Sequence, residues 1–507
     1  MKLRLAMLAA GATLVAACAS PARVAPGTIV VALANAPTNL DPGIGTDEAS
    51  QKLHQLLFSS LVKIDERLRV VPDLATRFET TDYQNYTVAI PPGVHFHDGR
   101  EMTSADVAFT FRRFLDPAFT SARKGAYRSI GTIDEVDRYT VTFHLKQPNG
   151  SFPINLVMGI VPVGTGASAG RKPIGSGPYR LVEFLPDDHV TLAAFDGYYQ
   201  SPPANRGLLF KVVPDETMRA LELRKGDVDL VVNDISPDAV HTLRETGRFD
   251  VATAPGTDYA YIGINMRDPL LKDRRVRQAI GYAVDTDAIV KYLRRDLARP
   301  AIGLVPDMSW AFAADAFHFT HDPAKARALL DEAGFPDPDG DGPAPRLHLT
   351  LKTSTAEPYR VQATLIQQQL ADVGIALDLR SYELATLISD IVRGSVQLYT
   401  LQYVGITDPD MLRRAFYSTQ IPPDGFNRGH YANPEVDKLI DQASGSLNED
   451  DRRRYYADAQ RLIAIDAPYI SLWARTNVAV SPKGLTGVSL SPIADFTFLK
   501  NVTRTSQ

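Results

Sequence analysis

The chain has 507 residues, 44% hydrophobic and 22% charged, the make-up of an ordinary globular protein with length for about three domains. A formal net charge of -5 argues against a nucleic-acid partner, which calls for a clustered basic surface. Beyond the N-terminus no apolar run is long enough to span a bilayer.

The first residues read as an address. Lys2 and Arg4 precede the apolar run Leu5–Ala17, and Cys18 follows Val15-Ala16-Ala17 directly. That spacing resembles a bacterial lipobox, which implies a signal peptide over residues 1–17, a lipid on Cys18 and a tether over residues 18–27. The alternative is an ordinary cleaved signal with an incidental cysteine. Cys18 is the sole cysteine, so no intrachain disulfide and no thiol-ligated metal is possible. Acyl chains hold a protein at a membrane surface without a spanning helix.

Thr28–Leu33 is a short β-branched run suited to a buried parallel strand. Leu53–Leu61 reads as an amphipathic helix. Tyr86, Val88 and Ile90 alternate with Thr87 and Ala89, the period of a half-buried strand, and Pro91-Pro92-Gly93 stops it. Val94 and Phe96 alternate next, Asp98-Gly99 turns, and Thr103 opens a helix with Asp106 as its partner. Tyr139–Leu145 is a further strand. Leu181–Phe195 and Gly207–Val213 read as strands, Asp215–Lys225 as a helix, and Gly226–Val231 as a helix-to-strand step. Tyr259–Asn265 leads into one long helix predicted over Asp273–Tyr292. Asp322-Pro323 caps a helix that closes at Gly334. Leu347–Leu351, Tyr359–Val373 and Ile375–Leu379 give a βαβ order, which favours a parallel sheet. Asn433-Pro434 caps a helix over Glu435–Gln442, Asp450–Ile465 is another, and Pro468–Trp473 and Val478–Val480 are the final strands.

The wording of several of these stretches is specific. Tyr86-Thr87-Val88, Gly93-Val94-His95-Phe96-His97-Asp98-Gly99 and Thr103-Ser104-Ala105-Asp106-Val107 closely resemble the signature of the extracytoplasmic solute-binding proteins of peptide and nickel type, which serve ABC importers. Asn39-Leu40-Asp41-Pro42, Gly175-Ser176-Gly177-Pro178-Tyr179 and Arg275–Ile280 are similar to further elements of that family, so the matches run from about Thr28 to about Pro482. The resemblance implies an α/β, bilobal periplasmic-binding-protein (Venus-flytrap) fold, type II-like, with an extra inserted subdomain. Lobe I would take residues 28–55, 161–255 and 476–507, subdomain II residues 56–160, and lobe III residues 256–475. It implies a monomer with no enzymatic activity, cofactor or metal. Its partners would be a peptide or small-molecule ligand, the permease subunits of the transporter and, through the lipid, a bacterial membrane.

Carried over position by position, the ligand-binding residues would be Asn35, Asn233, Tyr259, Tyr261, Tyr403, Val404, Gly405, Asp408 and Trp473. Peptide-binding relatives fix the ligand's α-ammonium with an aspartate where this chain has Ile406. That departure leaves open blocked or cyclic peptides, opines, glycosides and chelated nickel. A secreted hydrolase is the reading from another class, and a lipid-anchored chaperone or adhesion module a third.

Three motifs offer other chemistry. Gly166-Ala167-Ser168-Ala169-Gly170 matches a nucleophile elbow, yet Pro162 and Arg171-Lys172-Pro173 flank it where a strand and a helix are needed. Asp337, Asp339, Asp341 and Gly342 match the start of a calcium loop, but its twelfth position is His348 instead of glutamate. His95 and His97 share a strand face without an evident third metal ligand.

Overall fold

The structure, a computed structural model, describes residues 25–340, 342–422 and 425–505. Cys18, the leader and Asp341 lie outside them.

Eleven strands form the main sheet. In chain order they are β1 (Thr28–Leu33), β2 (Tyr179–Leu185), β3 (His189–Ala194), β4 (Gly207–Val212), β5 (Leu230–Val232), β6 (Phe249–Ile264), β7 (Ala298–Pro300), β8 (Leu347–Ser354), β9 (Ile375–Tyr382), β10 (Leu398–Tyr403) and β11 (Tyr469–Pro482). Their spatial order is β9-β8-β10-β6-β11-β5-β1-β4-β3-β2, with β7 on β11. Two α/β halves result. β1, β4 and β5 are parallel in one, and β8, β9 and β10 are parallel in the other. These strands are near-continuous apolar runs because helices cover both faces: Val30, Ala32 and Val231 pack on one side of the first half, and Ile29, Val31 and Leu33 on the other.

β6 and β11 belong to both halves. Their antiparallel pairing runs from Phe249↔Pro482 to Pro255↔Thr476, shifts register, and resumes from Tyr259↔Ala474 to Gly263↔Tyr469. The chain therefore passes between the halves on a strand pair that is broken at Gly256–Asp258. A bulge re-aims side chains and relaxes pairing, which suits a crossing point.

A separate four-stranded antiparallel sheet orders Arg77–Glu79, Asn85–Ala89, Thr140–Leu145 and Ile130–Asp137. The alternation at Tyr86 and Val88 points both residues into its core, where Phe111 of the helix Ser104–Leu115 meets Phe143 edge-on at 5.1 Å. Asp106 accepts from the Thr103 amide at 2.9 Å, as the capping pattern requires. Val94–Phe96 forms no strand of its own, only a bridge between His95 and Glu101. His97 instead fastens this unit to the first half: its Nε2 lies 3.1 Å from the Gly177 carbonyl, and its ring meets Phe195 edge-on.

The glycines of Gly175-Ser176-Gly177 have a steric cause. They pass against the end of the helix Glu48–Leu57, where the Gly177 amide donates to the Leu57 carbonyl at 3.0 Å. A Cβ on Gly175 would stand 1.9 Å from that carbonyl oxygen, and one on Gly177 2.4 Å from Leu56 O. Backbone atoms cannot swing aside, so Gly175→Ala is expected to cost about 3 kcal/mol, read as a lowered urea midpoint.

Two expectations are corrected. The helix predicted over Asp273–Tyr292 ends at Ala283, because Asp285 caps a new turn by accepting from the Ala288 amide at 2.8 Å. The two final strands are one, β11, whose polar centre Arg475–Asn477 lies at the crossing.

Candidate functional site

Strand directions locate a crevice. β6 runs antiparallel to β11, and β11 antiparallel to β5, so β5 and its parallel neighbours β1 and β4 point along β6 towards the second half. β10 is antiparallel to β6, so β10 and its parallel neighbours β8 and β9 point back towards the first. The carboxyl ends of both trios thus converge on the crossing. In each half the first strand of the trio lies between the other two, the switch arrangement outside whose carboxyl ends open α/β sheets bind ligands.

On the wall of the first half, Asn35 is exposed beyond β1. Asp234, beyond β5, accepts from the Ala34 amide at 3.3 Å and lies 3.8 Å from Lys52 Nζ. Lys52 also pairs with Glu48 at 2.8 Å. Burial works against the Glu48 carboxylate, but Lys52 and then Arg475 hold its pKa below the usual range. Arg475 belongs to the crossing, so this influence reaches between the two halves.

At the crossing Asp258 forms an ion pair with Arg475, whose Nε lies 2.7 Å away, and accepts from Gln402 Nε2 at 2.9 Å and from the Gly405 amide at 3.0 Å. Gly405 adopts φ +68°, which lets its amide turn towards that carboxylate. Arg294 lies beside the group, its guanidinium carbon 4.3 Å from the centroid of the Trp473 ring. Burial, followed by the nearby Arg475 charge, lowers its pKa to about 10.

The residues carried over from the resemblance fall into distinct settings. Val404 is 73% exposed at the mouth of the crevice, next to Gly405. Ile406 is buried and donates its amide to the Thr257 carbonyl, so its side chain faces apolar neighbours and not the open crevice. Asn233 holds a left-handed backbone at φ +61°. Its amide is engaged twice, accepting from Val478 N at 2.9 Å and donating to Asn477 Oδ1 at 3.1 Å. Tyr259, Tyr261 and Tyr403 come together, with Tyr261 stacked against Tyr259 at 5.5 Å and Tyr403 at 5.2 Å in the core of the second half. Trp473 pairs with Ala260 in the register and so faces the opposite side of the sheet, where its Nε1 donates to Gln362 Oε1 at 2.8 Å.

Asp408 stands apart from this group. It lines a cavity of about 320 Å³ between the second half and the four-stranded unit, with Tyr83, Trp310 and Arg452, and accepts from Ser151 Oγ at 3.1 Å. Its carboxylate also takes the Asp410 amide at 2.7 Å. Burial raises its pKa from the ordinary 3.8 to about 6. The folded protein holds this proton more tightly than the unfolded chain, so Asp408 costs nothing below about pH 4. Its cost grows as pH rises through 6, towards about 3 kcal/mol less what water in the cavity returns. Asp408→Asn is therefore expected to raise the melting temperature over wild type at pH 7.5 and not at pH 4, in paired melting scans.

Sequence reading missed Asp258, Arg294 and Arg475. Their signal was a charge in an apolar strand: Asp258 interrupts β6 just before Tyr259–Ile264, and Arg475 breaks β11 after Leu472-Trp473-Ala474. Arg294 carried no such mark. The other motifs resolve locally. Ser168 sits in a 3₁₀ turn, Ala167–Gly170, without a preceding strand or a following α-helix. Asp337 pairs with Arg346 at 3.3 Å. Among the described residues no helix is long and apolar enough to cross a membrane.

This two-halved architecture is that of a known class. The family model of bacterial extracellular solute-binding proteins, family 5, matches residues 69–423, and the chain belongs to that family. It is 29% identical to the oligopeptide-binding protein AppA of Bacillus subtilis, over 92% of this chain and 90% of the relative. It is 30% identical to the glutathione-binding protein GsiB of Pectobacterium atrosepticum, over 97% of each. The solved structure of Bacillus subtilis AppA in complex with a nonapeptide superposes with a TM-score of 0.76 at 28% identity, covering 95% of this chain and 99% of that one.

Proposed function

We propose that the chain captures a peptide-like solute in the crevice between its halves and delivers it, unaltered, to the permease of an ABC importer. The observation that carries this reading is the convergence of two sets of strand carboxyl ends on one crossing that, among the described residues, only the strands β6 and β11 span. Two strands broken at Gly256–Asp258 form a hinge, and hinge closure is a common means of ligand capture. The lobes divide at this hinge: residues 28–55, 161–255 and 476–507 on one side, 256–475 on the other, with 56–160 as the inserted subdomain. Asn35, Val404 and Gly405 line the crevice, Trp473 supports Arg294, and Asn233, Tyr259, Tyr261 and Tyr403 hold the walls in shape. Asp408 acts at the contact with the inserted subdomain. The protein works as a monomer, outside the cytoplasm, held to a bacterial membrane by a lipid on Cys18.

A thermal-shift screen of the full chain against tripeptide pools, opines and nickel chelates tests the reading. A ligand at a hundred times its dissociation constant adds about 2.7 kcal/mol of stability, a shift of several degrees. One class is expected to give it; silence from every class would overturn the reading. Ser168→Ala is expected to leave the response unchanged, whereas a hydrolysis abolished by that change would favour the secreted hydrolase.

A further inference from the structure

The two halves also meet through the four-stranded unit. That unit is fixed to the first half: Arg113 pairs with the buried Asp41, and Ser121 Oγ donates to the Gly43 carbonyl at 2.6 Å. Its other side rests on the second half. Trp310 N donates to the Arg67 carbonyl at 3.2 Å, Arg69 lies 3.9 Å from Glu449, and Arg452 of the helix Glu449–Asp466 reaches over the Tyr83 ring at 5.6 Å. Gly150 fits so closely there that a Cβ would stand 3.3 Å from the Ser444 carbonyl oxygen. Opening the hinge therefore breaks this seam.

Asp408 is the carboxylate that the seam encloses. Ser151 Oγ, on the four-stranded unit, donates to it at 3.1 Å, so its partner is lost when the halves part. The charges that face it are mixed. From its own loop the Asp410 carboxylate opposes its ionisation, while Asp410 itself takes Ser444 Oγ at 2.8 Å and the Tyr456 hydroxyl at 3.3 Å. From the helix Glu449–Asp466 the Arg452 charge favours ionisation. Across the cavity stand Tyr83 and Arg69, the latter turned to Glu449.

Burial outweighs the help of Arg452, so with the seam closed the Asp408 carboxyl keeps its proton up to about pH 6. With the seam parted, water reaches the carboxylate and the ordinary value of 3.8 returns. Closing thus takes up a proton between about pH 4 and pH 6. The closed arrangement gains as pH falls through 6 and gains nothing further below about pH 4.

We propose that the seam between Asp408 and Ser151 is a pH-sensitive latch, which holds the two halves shut over the solute more firmly in acid than at neutral pH. This deepens the solute-binding reading and rests on it. The latch acts on the halves and not on the solute, so acidity changes how firmly a solute is held and not which solute is chosen.

The test is isothermal titration calorimetry of the full chain with tripeptides of alanine, leucine and phenylalanine, whose side chains do not titrate. Wild type is expected to bind them about tenfold more tightly at pH 5 than at pH 7, and to take up roughly one proton per solute at pH 5. Asp408→Asn keeps an acceptor for Ser151 and the Asp410 amide but cannot ionise, and it should lose both the pH dependence and the proton uptake. Ser151→Ala, on the other side of the seam, withdraws a donor from the ionised carboxylate and should weaken binding more at pH 7 than at pH 5. It serves where the first variant is too unstable to purify. A wild type indifferent to pH, or an Asp408→Asn variant with the wild-type ratio, overturns the latch while leaving solute binding intact. If these peptides, and then opines and nickel chelates, bind at neither pH, the solute-binding reading falls and the latch with it.

Discussion

Replacing Asp258 by alanine is expected to destabilise the protein by about 3–5 kcal/mol and to abolish solute binding. The carboxylate is mostly shielded from water, its side chain only 12% exposed, and it holds two hydrogen-bond donors and one ion-pair partner. Without it Arg475 loses its ion-pair partner beside Arg294, whose pKa its charge already lowers. The Gly405 amide is also released, so the Val404–Gly405 turn loses the contact that sets its shape. Asp258→Asn, which keeps an acceptor but not the charge, should fall between the two. In a double-mutant cycle, Asp258→Ala with Arg475→Ala should cost less than the two single changes summed, because no uncompensated Arg475 remains. Urea unfolding followed by tryptophan emission reads wild type and all four variants. Equal stability of Asp258→Ala and wild type would show that the cluster is incidental.

Tyr261→Ala carries the second large effect, again about 3–5 kcal/mol. The ring is fully buried and stacks on Tyr259, Tyr403 and Tyr469, the last at 4.1 Å. Removing it opens a cavity under the wall that carries β10 and the Val404 loop. Tyr261→Phe makes a sharper comparison. The hydroxyl's one hydrogen bond among the described residues is a long one from Arg428 at 3.4 Å, so its loss should cost little. Solute affinity of Tyr261→Phe should stay within about twofold of wild type, since small changes in a preformed wall are weakly felt. A tenfold loss on removing that hydroxyl would place Tyr261 against the ligand and not behind it.

Much of the fold was legible because it is written in local patterns. The run Thr28–Leu33 is a strand in full, the Thr103–Asp106 cap opens a helix, and the order Leu347–Leu379 does give a parallel pair. What failed depended on partners distant in sequence. β6 begins at Phe249, ten residues before the apolar run that announced it, because Asp250 to Pro255 are held by β11. Likewise β11 is continuous through Arg475-Thr476-Asn477, polar residues that no strand pattern predicts and that β6, β7 and Asn233 hold in place. The site divides in the same way. A resemblance between motifs named Asn35, Val404 and Gly405, which lie just beyond the carboxyl ends of β1 and β10. It gave no access to Arg294, which a π turn and the ring of Trp473, nearly two hundred positions away, hold close to Arg475 and Asp258.

Two hinged lobes are expected to hold a solute and to leave it chemically unchanged. Native mass spectrometry of the full chain, as purified and without added ligand, tests it most directly. A noncovalent one-to-one adduct of peptide-like mass should be present, and the released solute should keep its mass after prolonged incubation with fresh protein. A chain that carries no adduct and takes up none from a peptide mixture, or one that returns the solute cleaved, would contradict the account.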